Sequence, residues 1–183
     1  MDECDGPSRA RNLAIEDSID DTDYFLILDA DDTAYPNKCI RLIQEALQSP
    51  DFIGAVYADY HILNVDTGVV THEYKKPYDK TVLNRECIVH SGSLVSKSAM
   101  INAKDEFGFF DVNMRTCEDY DLWMRISENH MIMHVAEPLS LVRVHQNNAT
   151  NSVDNSIWGR NWTRLHEKKQ KREFNYQQIS HNN

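Results

Sequence analysis

Apolar positions along the chain switch between helical spacing and short unbroken runs. Residues 7–19 predict a helix, since Pro7 suits a first turn and Ala10, Leu13, Ala14 and Ile15 cluster toward one side. A polar break, Asp20 to Asp23, precedes the run Tyr24-Phe25-Leu26-Ile27-Leu28, which suits a strand buried on both faces, as in a parallel sheet. That run stops in Asp29-Ala30-Asp31-Asp32, and Pro36 opens a second helix to about Gln48 through Ile40, Ile43 and Leu47. Strand, acidic loop and helix together are the grammar of an α/β unit.

Farther along, 53–60 reads as a strand, and Asp66-Thr67-Gly68 as a turn between extended pieces at 61–65 and 69–74. A loop over 75–84 follows, then a brief strand at 93–95 and a short helix near 97–103. Phe107 to Asp111 reads as a loop, Glu118 to Asn129 as a helix, and 131–135 and 139–145 as two strands. A polar linker, 146–156, leads to a helix over 157–172. The domain reading is therefore 1–152 for the α/β body and 153–183 for a polar, basic tail, partly helical.

Charge narrows the classes. The formal net charge is −10, which argues against a nucleic-acid binder because nothing would neutralise phosphates across a broad face. Hydrophobic residues at 41% suffice for a real core. No apolar run approaches the roughly 20 residues that cross a bilayer. The start at Met1 shows no secretory signal, and Cys4, Cys39, Cys87 and Cys117 form no C-x-x-C pair, so a cytoplasmic address is expected. On that ground the sequons at Asn148 and Asn161 read as chance. The tail packs Arg160, Arg164, Lys168, Lys169, Lys171 and Arg172 closely, which suits a solvated face or a peripheral contact with an anionic membrane.

Three segments could carry chemistry. Asp29, Asp31 and Asp32 crowd three carboxylates into four residues after a buried-looking strand. Such crowding costs stability unless a cation or hydrogen bonds offset it, and ligands of α/β sheets sit at strand carboxyl ends. Mg²⁺ or Mn²⁺ shares carboxylate oxygens with substrate phosphates, so a metal–diphosphate site follows; a solvated turn capping the next helix is the plain alternative. In Glu118-Asp119-Tyr120-Asp121-Leu122-Trp123, helical spacing puts Asp119 on the face of Leu122, Trp123 and Ile126. A carboxylate there should face a cavity, where a raised pKa suits a general base, unless it merely complements the helix dipole. Last, Arg143-Val144-His145 ends a strand, and a neutral His145 could complete a metal shell or be a satisfied structural residue; His90, His61 and His134 have weaker cases.

In order, these segments resemble a family-2 glycosyltransferase of the GT-A fold, a Rossmann-like mixed sheet flanked by helices. Ala10-Arg11-Asn12 resembles the family's "ARN" helix, and Phe25 to Asp32 its "fLDaDD" form of the D-x-D motif. Gly92 to Ser96 with Phe109-Phe110-Asp111 resembles the "gs…fDe" region, Glu118 to Ile126 "EDydLwlRi", and Arg143 to His145 "yRvH". The resemblance covers about residues 6–152. It implies inverting transfer from a nucleotide-diphosphate sugar, UDP-linked, to a glycan, lipid or protein acceptor, as in polysaccharide biosynthesis. It also implies a divalent cation, Mn²⁺ or Mg²⁺, with Asp29, Asp31 and His145 as ligands. Asp119 would be the base, and Arg11, Asp29, Asp31 and Glu118 would bind the nucleotide sugar.

The family normally opens with a "P-x-[YF]-N"-like strand, a helix and a second strand, whereas here the "ARN" helix comes almost at once. The expectation is a domain without its first α/β pieces, with an exposed sheet edge that favours a homo- or hetero-oligomer. A catalytically incomplete binding or assembly module is then the alternative function. Asp29-Ala30-Asp31-Asp32-Thr33 also matches the D-x-D-x-T pattern of haloacid-dehalogenase-like phosphatases, with Asp29 as nucleophile and Asp31 as acid/base group; Lys97 and Asp119 or Asp121 would have to assist.

Overall fold

The structure, a computed structural model, describes residues 6–48, 52–90, 92–146, 148 and 152–181. In chain order the elements are α1 (Gly6–Ser18), β1 (Tyr24–Leu26), β2 (Thr33–Ala34), α2 (Lys38–Ala46), β3 (Ile53–Asn64) and β4 (Val70–Glu73). They continue with α3 (Lys80–Leu83), β5 (Leu94–Ser96), α4 (Lys97–Ala103), α5 (Glu118–Asn129), β6 (Met131–Val144) and α6 (Asn155–His181). Cys4 lies outside the described residues.

One six-stranded mixed sheet runs in the order β1-β5-β3-β6-β2, with β4 also paired to β3. Its backbone is β3, parallel to β6 along its length and antiparallel to β5 and then β4 on its other edge. Alternation along β3 sends Ala55 and Tyr57 to one face and Val56 and Ala58 to the other. The first face packs under α4 and α5 with Met100, Trp123 and Ile126; the second packs on α2 with Leu42 and Ala46. Both faces of the central strand are covered, as an α/β protein requires.

Several expectations change. The run at 24–28 is not a parallel strand: β1 pairs antiparallel with β5, Tyr24 opposite Ser96. Phe25 and Ile27 are buried, whereas Leu28 is 39% exposed. Among the described residues no strand covers β1's outer edge. The two late strands are one, β6, whose register against β3 shifts where Ala58 faces Val135 and Asp59 faces Pro138. That irregularity absorbs a proline, which cannot donate to a regular ladder. In α1 the buried side chains are Ser8, Asn12 and Ile15, while Leu13 is exposed.

The basic tail is not an appendage. Leu165 of α6 is fully buried in the main core and Trp158 packs against it. Lys168 Nζ reaches Asp105, Asp111 and Asp121 at 3.0, 3.1 and 2.6 Å. Arg164 bonds Asp111, Arg172 bonds Glu128 and Lys171 bonds Glu106. Much of the basic face thus points at carboxylates of the body. Asn161, a residue of one sequon, is buried and donates to Thr116 Oγ1 at 2.9 Å.

Candidate functional site

A cleft of about 560 Å³ opens where the β1–β2 connection, the start of α5 and the end of β6 meet. Arg11, Asp29, Asp31, Glu118 and Asp119 line it together, although α1 and α5 lie far apart in sequence.

Arg11 is the clamp. Its Nη2 meets Asp29 Oδ1 at 2.5 Å and its Nη1 meets Glu118 Oε1 at 2.9 Å, over the Phe110 ring. A guanidinium fork suits two carboxylates from different elements, and here it ties the acidic loop to α5. Next to it, Asn12 brackets one residue: Phe110 N donates to Asn12 Oδ1 and Asn12 Nδ2 donates to Phe110 O, both at 2.8 Å. Gly108 lies so close that a Cβ there would fall 2.7 Å from Asn12 Nδ2, and its φ is +104°. Arg11 and Asn12 are adjacent on α1, so one faces the cleft and the other the loop leading to α5.

The acidic loop is pinned to the end of β6. Arg143 N donates to Asp32 Oδ1 at 3.1 Å, and Arg143 Nη1 donates to Asp31 O and Thr33 Oγ1 at 2.7 and 2.8 Å. His145 Nε2 lies 3.2 Å from Asp31 Oδ2, and Asn148 Nδ2 donates to the same oxygen at 3.0 Å. Asn148 lies in the segment that follows Arg143-Val144-His145, where the sequence assigns it no role beyond a sequon. Its Oδ1 accepts from His145 N at 2.5 Å, so it orients both Asp31 and His145.

Asp119 sits in the first turn of α5, with Leu122, Trp123 and Ile126 fully buried along the same face. The carboxylate itself lines the cleft. Burial, then the neighbouring Glu118, pushes its pKa up to about 7. Preceding it, Cys117 has φ +61°, left-handed for a residue with a side chain, a strain that needs support from its surroundings. Asp121, two residues on and so on the opposite side of the helix, is fully buried against Arg125 and Lys168. Lys97 donates to Asp20 O and does not line the cleft. The phosphatase reading therefore loses its lysine and one of its acids.

Behind the cleft, Lys38 is fully buried and its Nζ has no hydrogen-bond partner. Burial lowers its pKa to about 8, opposed by Asp32, while burial raises Asp32 to about 6. Periodicity could not flag Lys38, because a lysine at a helix start reads as solvated. His90 accepts from Gly92 N on Nδ1 at 2.9 Å and bonds Ala58 O through Nε2 at 2.9 Å, and burial, then Lys38, lowers its pKa to about 3 and holds it neutral. His134 and His72 share Asp59, and His61 bonds Tyr35; these histidines are structural.

Among the described residues, no three His, Cys, Asp or Glu side chains are gathered to hold a metal ion. The pair Asp31 and His145 does offer a hard oxygen beside an imidazole, a donor set that suits Mn²⁺ or Mg²⁺ completed by phosphate oxygens and water. Asp29 already faces Arg11, which makes it a poorer metal ligand.

Comparison with known proteins identifies the family. The family model described as Glycosyl transferase family 2 matches residues 1–104. An uncharacterized glycosyltransferase of Rickettsia typhi is 28% identical over 146 residues, covering 74% of this chain and 44% of the relative. One from Rickettsia prowazekii is 27% identical over 143 residues, covering 73% of this chain and 43% of the relative. The chain thus spans less than half the length of these curated relatives. The mixed sheet flanked by helices is consistent with a GT-A type fold. A match over more than half of its residues places the chain in glycosyltransferase family 2.

Proposed function

We propose that this cleft transfers a sugar from a nucleotide-diphosphate donor, UDP-linked, to an acceptor hydroxyl with inversion. The observation that carries the proposal is the single cleft in which Asp31 and Asp119 meet from distant parts of the chain. Asp119 takes the proton of the acceptor hydroxyl. The freed oxygen then bonds to the anomeric carbon while that carbon's bond to the diphosphate oxygen breaks, the electron pair leaving with the diphosphate. Opposite-face attack inverts the anomeric centre.

Asp31 and His145 would hold a divalent cation, with Asn148 orienting both. Such an ion, when bound, offsets the charge that develops on the leaving diphosphate. Arg11 keeps Asp29 and Glu118 in place; Asp29 is then positioned for the donor's ribose, and Glu118 keeps Asp119 basic enough to act. The acceptor hydroxyl belongs to a glycan, lipid or protein and meets the wall beside Asp119.

Transfer from UDP-sugars in the presence of Mn²⁺ is the assay. Asp119→Asn should lower the rate by at least about 100-fold, the ordinary contribution of a general base; a rate equal to the parent's contradicts the assignment.

A second reading, assembly, is favoured by one feature. A groove of about 350 Å³ runs along β1's outer edge between Tyr24–Leu28 and the Arg11, Ala14, Ile15 and Ser18 side of α1. Open edges template strand addition. Association with another chain there would extend the sheet from its open edge, beside Arg11, which lines the groove and the cleft alike. The basic tail adds nothing to a membrane reading, since Arg164, Lys168, Lys171 and Arg172 bond body carboxylates. Among the described residues no helix is long and apolar enough to cross a membrane.

A further inference from the structure

Three arginines line the cleft, and two are committed. Arg11 bonds Asp29 and Glu118, and Arg143 bonds Asp31 O and Thr33. The third, Arg115, is exposed, and among the described residues nothing pairs with it, although five carboxylates share the cleft walls. An unpaired guanidinium in so acidic a cleft is available to a ligand anion.

Its placement is built rather than incidental. Arg115 stands just before the left-handed turn at Cys117, and Glu118 and Asp119 follow directly. Thr116, between Arg115 and Cys117, is buried and accepts from Asn161 of α6 at 2.9 Å. One turn earlier on α6, Trp158 packs partly into the core and also lines the cleft. An indole face offers apolar area to the C–H face of a sugar ring, and a guanidinium fork takes an oxyanion with two hydrogen bonds. Both groups belong to the wall that carries Asp119, whereas Asp31, His145 and Asn148 belong to the β1–β2 loop and the end of β6.

We propose that Arg115 and Trp158 form the acceptor subsite, and that it selects a sugar bearing an oxyanion, a phosphate or carboxylate, over a neutral one. The inference rests on the transferase reading, in which Asp119 deprotonates the acceptor. It deepens that reading by assigning the acceptor's chemical class.

Calorimetry on the full chain tests it with glucose, glucose 6-phosphate and glucuronate as probes, and with UDP plus Mn²⁺ titrated separately. Glucose 6-phosphate and glucuronate should bind roughly tenfold tighter than glucose, the value of one good charge-assisted contact. Arg115→Gln should bring both anionic sugars to the affinity of glucose and leave UDP affinity within about twofold. Trp158→Ala should weaken all three sugars alike. Equal affinity for the three probes, or no saturable binding of the anionic ones, overturns the inference. So does an Arg115→Gln protein that loses UDP instead, since the arginine would then serve the donor's diphosphate. If the parent protein binds the anionic sugars selectively but not UDP with Mn²⁺, the subsite stands and the donor reading fails.

Discussion

A carboxylate titrating near neutrality acts as a base only when deprotonated. Asp119, raised by burial and then by Glu118, reaches about 7 in the free protein. The value of kcat/KM for transfer should therefore climb about tenfold per pH unit below 7 and level off above it. Glu118→Gln removes the like charge, so the inflection should move to lower pH. A pH–rate profile of both proteins checks this, and a flat profile from pH 5 to 8 contradicts it. The linkage sign is opposite to that of a salt-bridged acid. Since the folded value is raised, Asp119 favours the folded state below the ordinary carboxylate range and loses that contribution as pH rises toward 7. At this scale the sequence was informative where chemistry is unusual. A carboxylate on the face of Leu122, Trp123 and Ile126 had to meet a cavity or be neutralised. It is uninformative for Asn148, whose partner Asp31 lies 117 residues earlier, and for Lys38, whose full burial is set by packing that helical spacing does not show.

Helix α1 shows how a polar residue can organise an element. Asn12 satisfies both backbone groups of Phe110, in a place where neither would find water. Asn12→Ala leaves two buried backbone groups unpaired and should lower unfolding free energy by about 2–4 kcal/mol in urea denaturation. A loss under about 0.5 kcal/mol, the range of an ordinary surface substitution, would show that the bracket is dispensable. Apolar spacing predicted the helix but chose its inner face badly, because Leu13 faces out and Asn12 faces in. Likewise, five apolar residues at 24–28 announced a strand yet carried no information about pairing direction, which β5 decides. The two strands read at 131–135 and 139–145 are one, because a register shift lets β6 continue through Pro138.

For the whole molecule, the ionic seam under α6 matters most. Asp111 and Asp121 are fully buried, and Lys168 contacts both. Removing one partner of buried charges costs about 3–5 kcal/mol, so Lys168→Ala should be strongly destabilising by chemical denaturation. Asp111 is held below the ordinary carboxylate range: burial raises it, but Arg164, Asn113 N and Lys168 outweigh that. Its contribution is present at neutral pH and is lost as pH falls through the acid range. If Lys168→Ala melts like the parent protein, the seam is not holding α6. The same seam places Trp158 and Asn161 against the Arg115–Cys117 turn, so tail and cleft are one structure. From sequence, those lysines and arginines read as a solvated face, because their carboxylate partners lie 44 to 65 residues earlier.

The central claim is that Asp31 serves the donor and Asp119 the acceptor within one cleft. Calorimetric titration of UDP with Mn²⁺ into the parent, Asp31→Ala and Asp119→Asn proteins tests it most directly. The account predicts Mn²⁺-dependent binding that Asp31→Ala loses and Asp119→Asn keeps. Undiminished binding by Asp31→Ala, or its loss in Asp119→Asn, contradicts it.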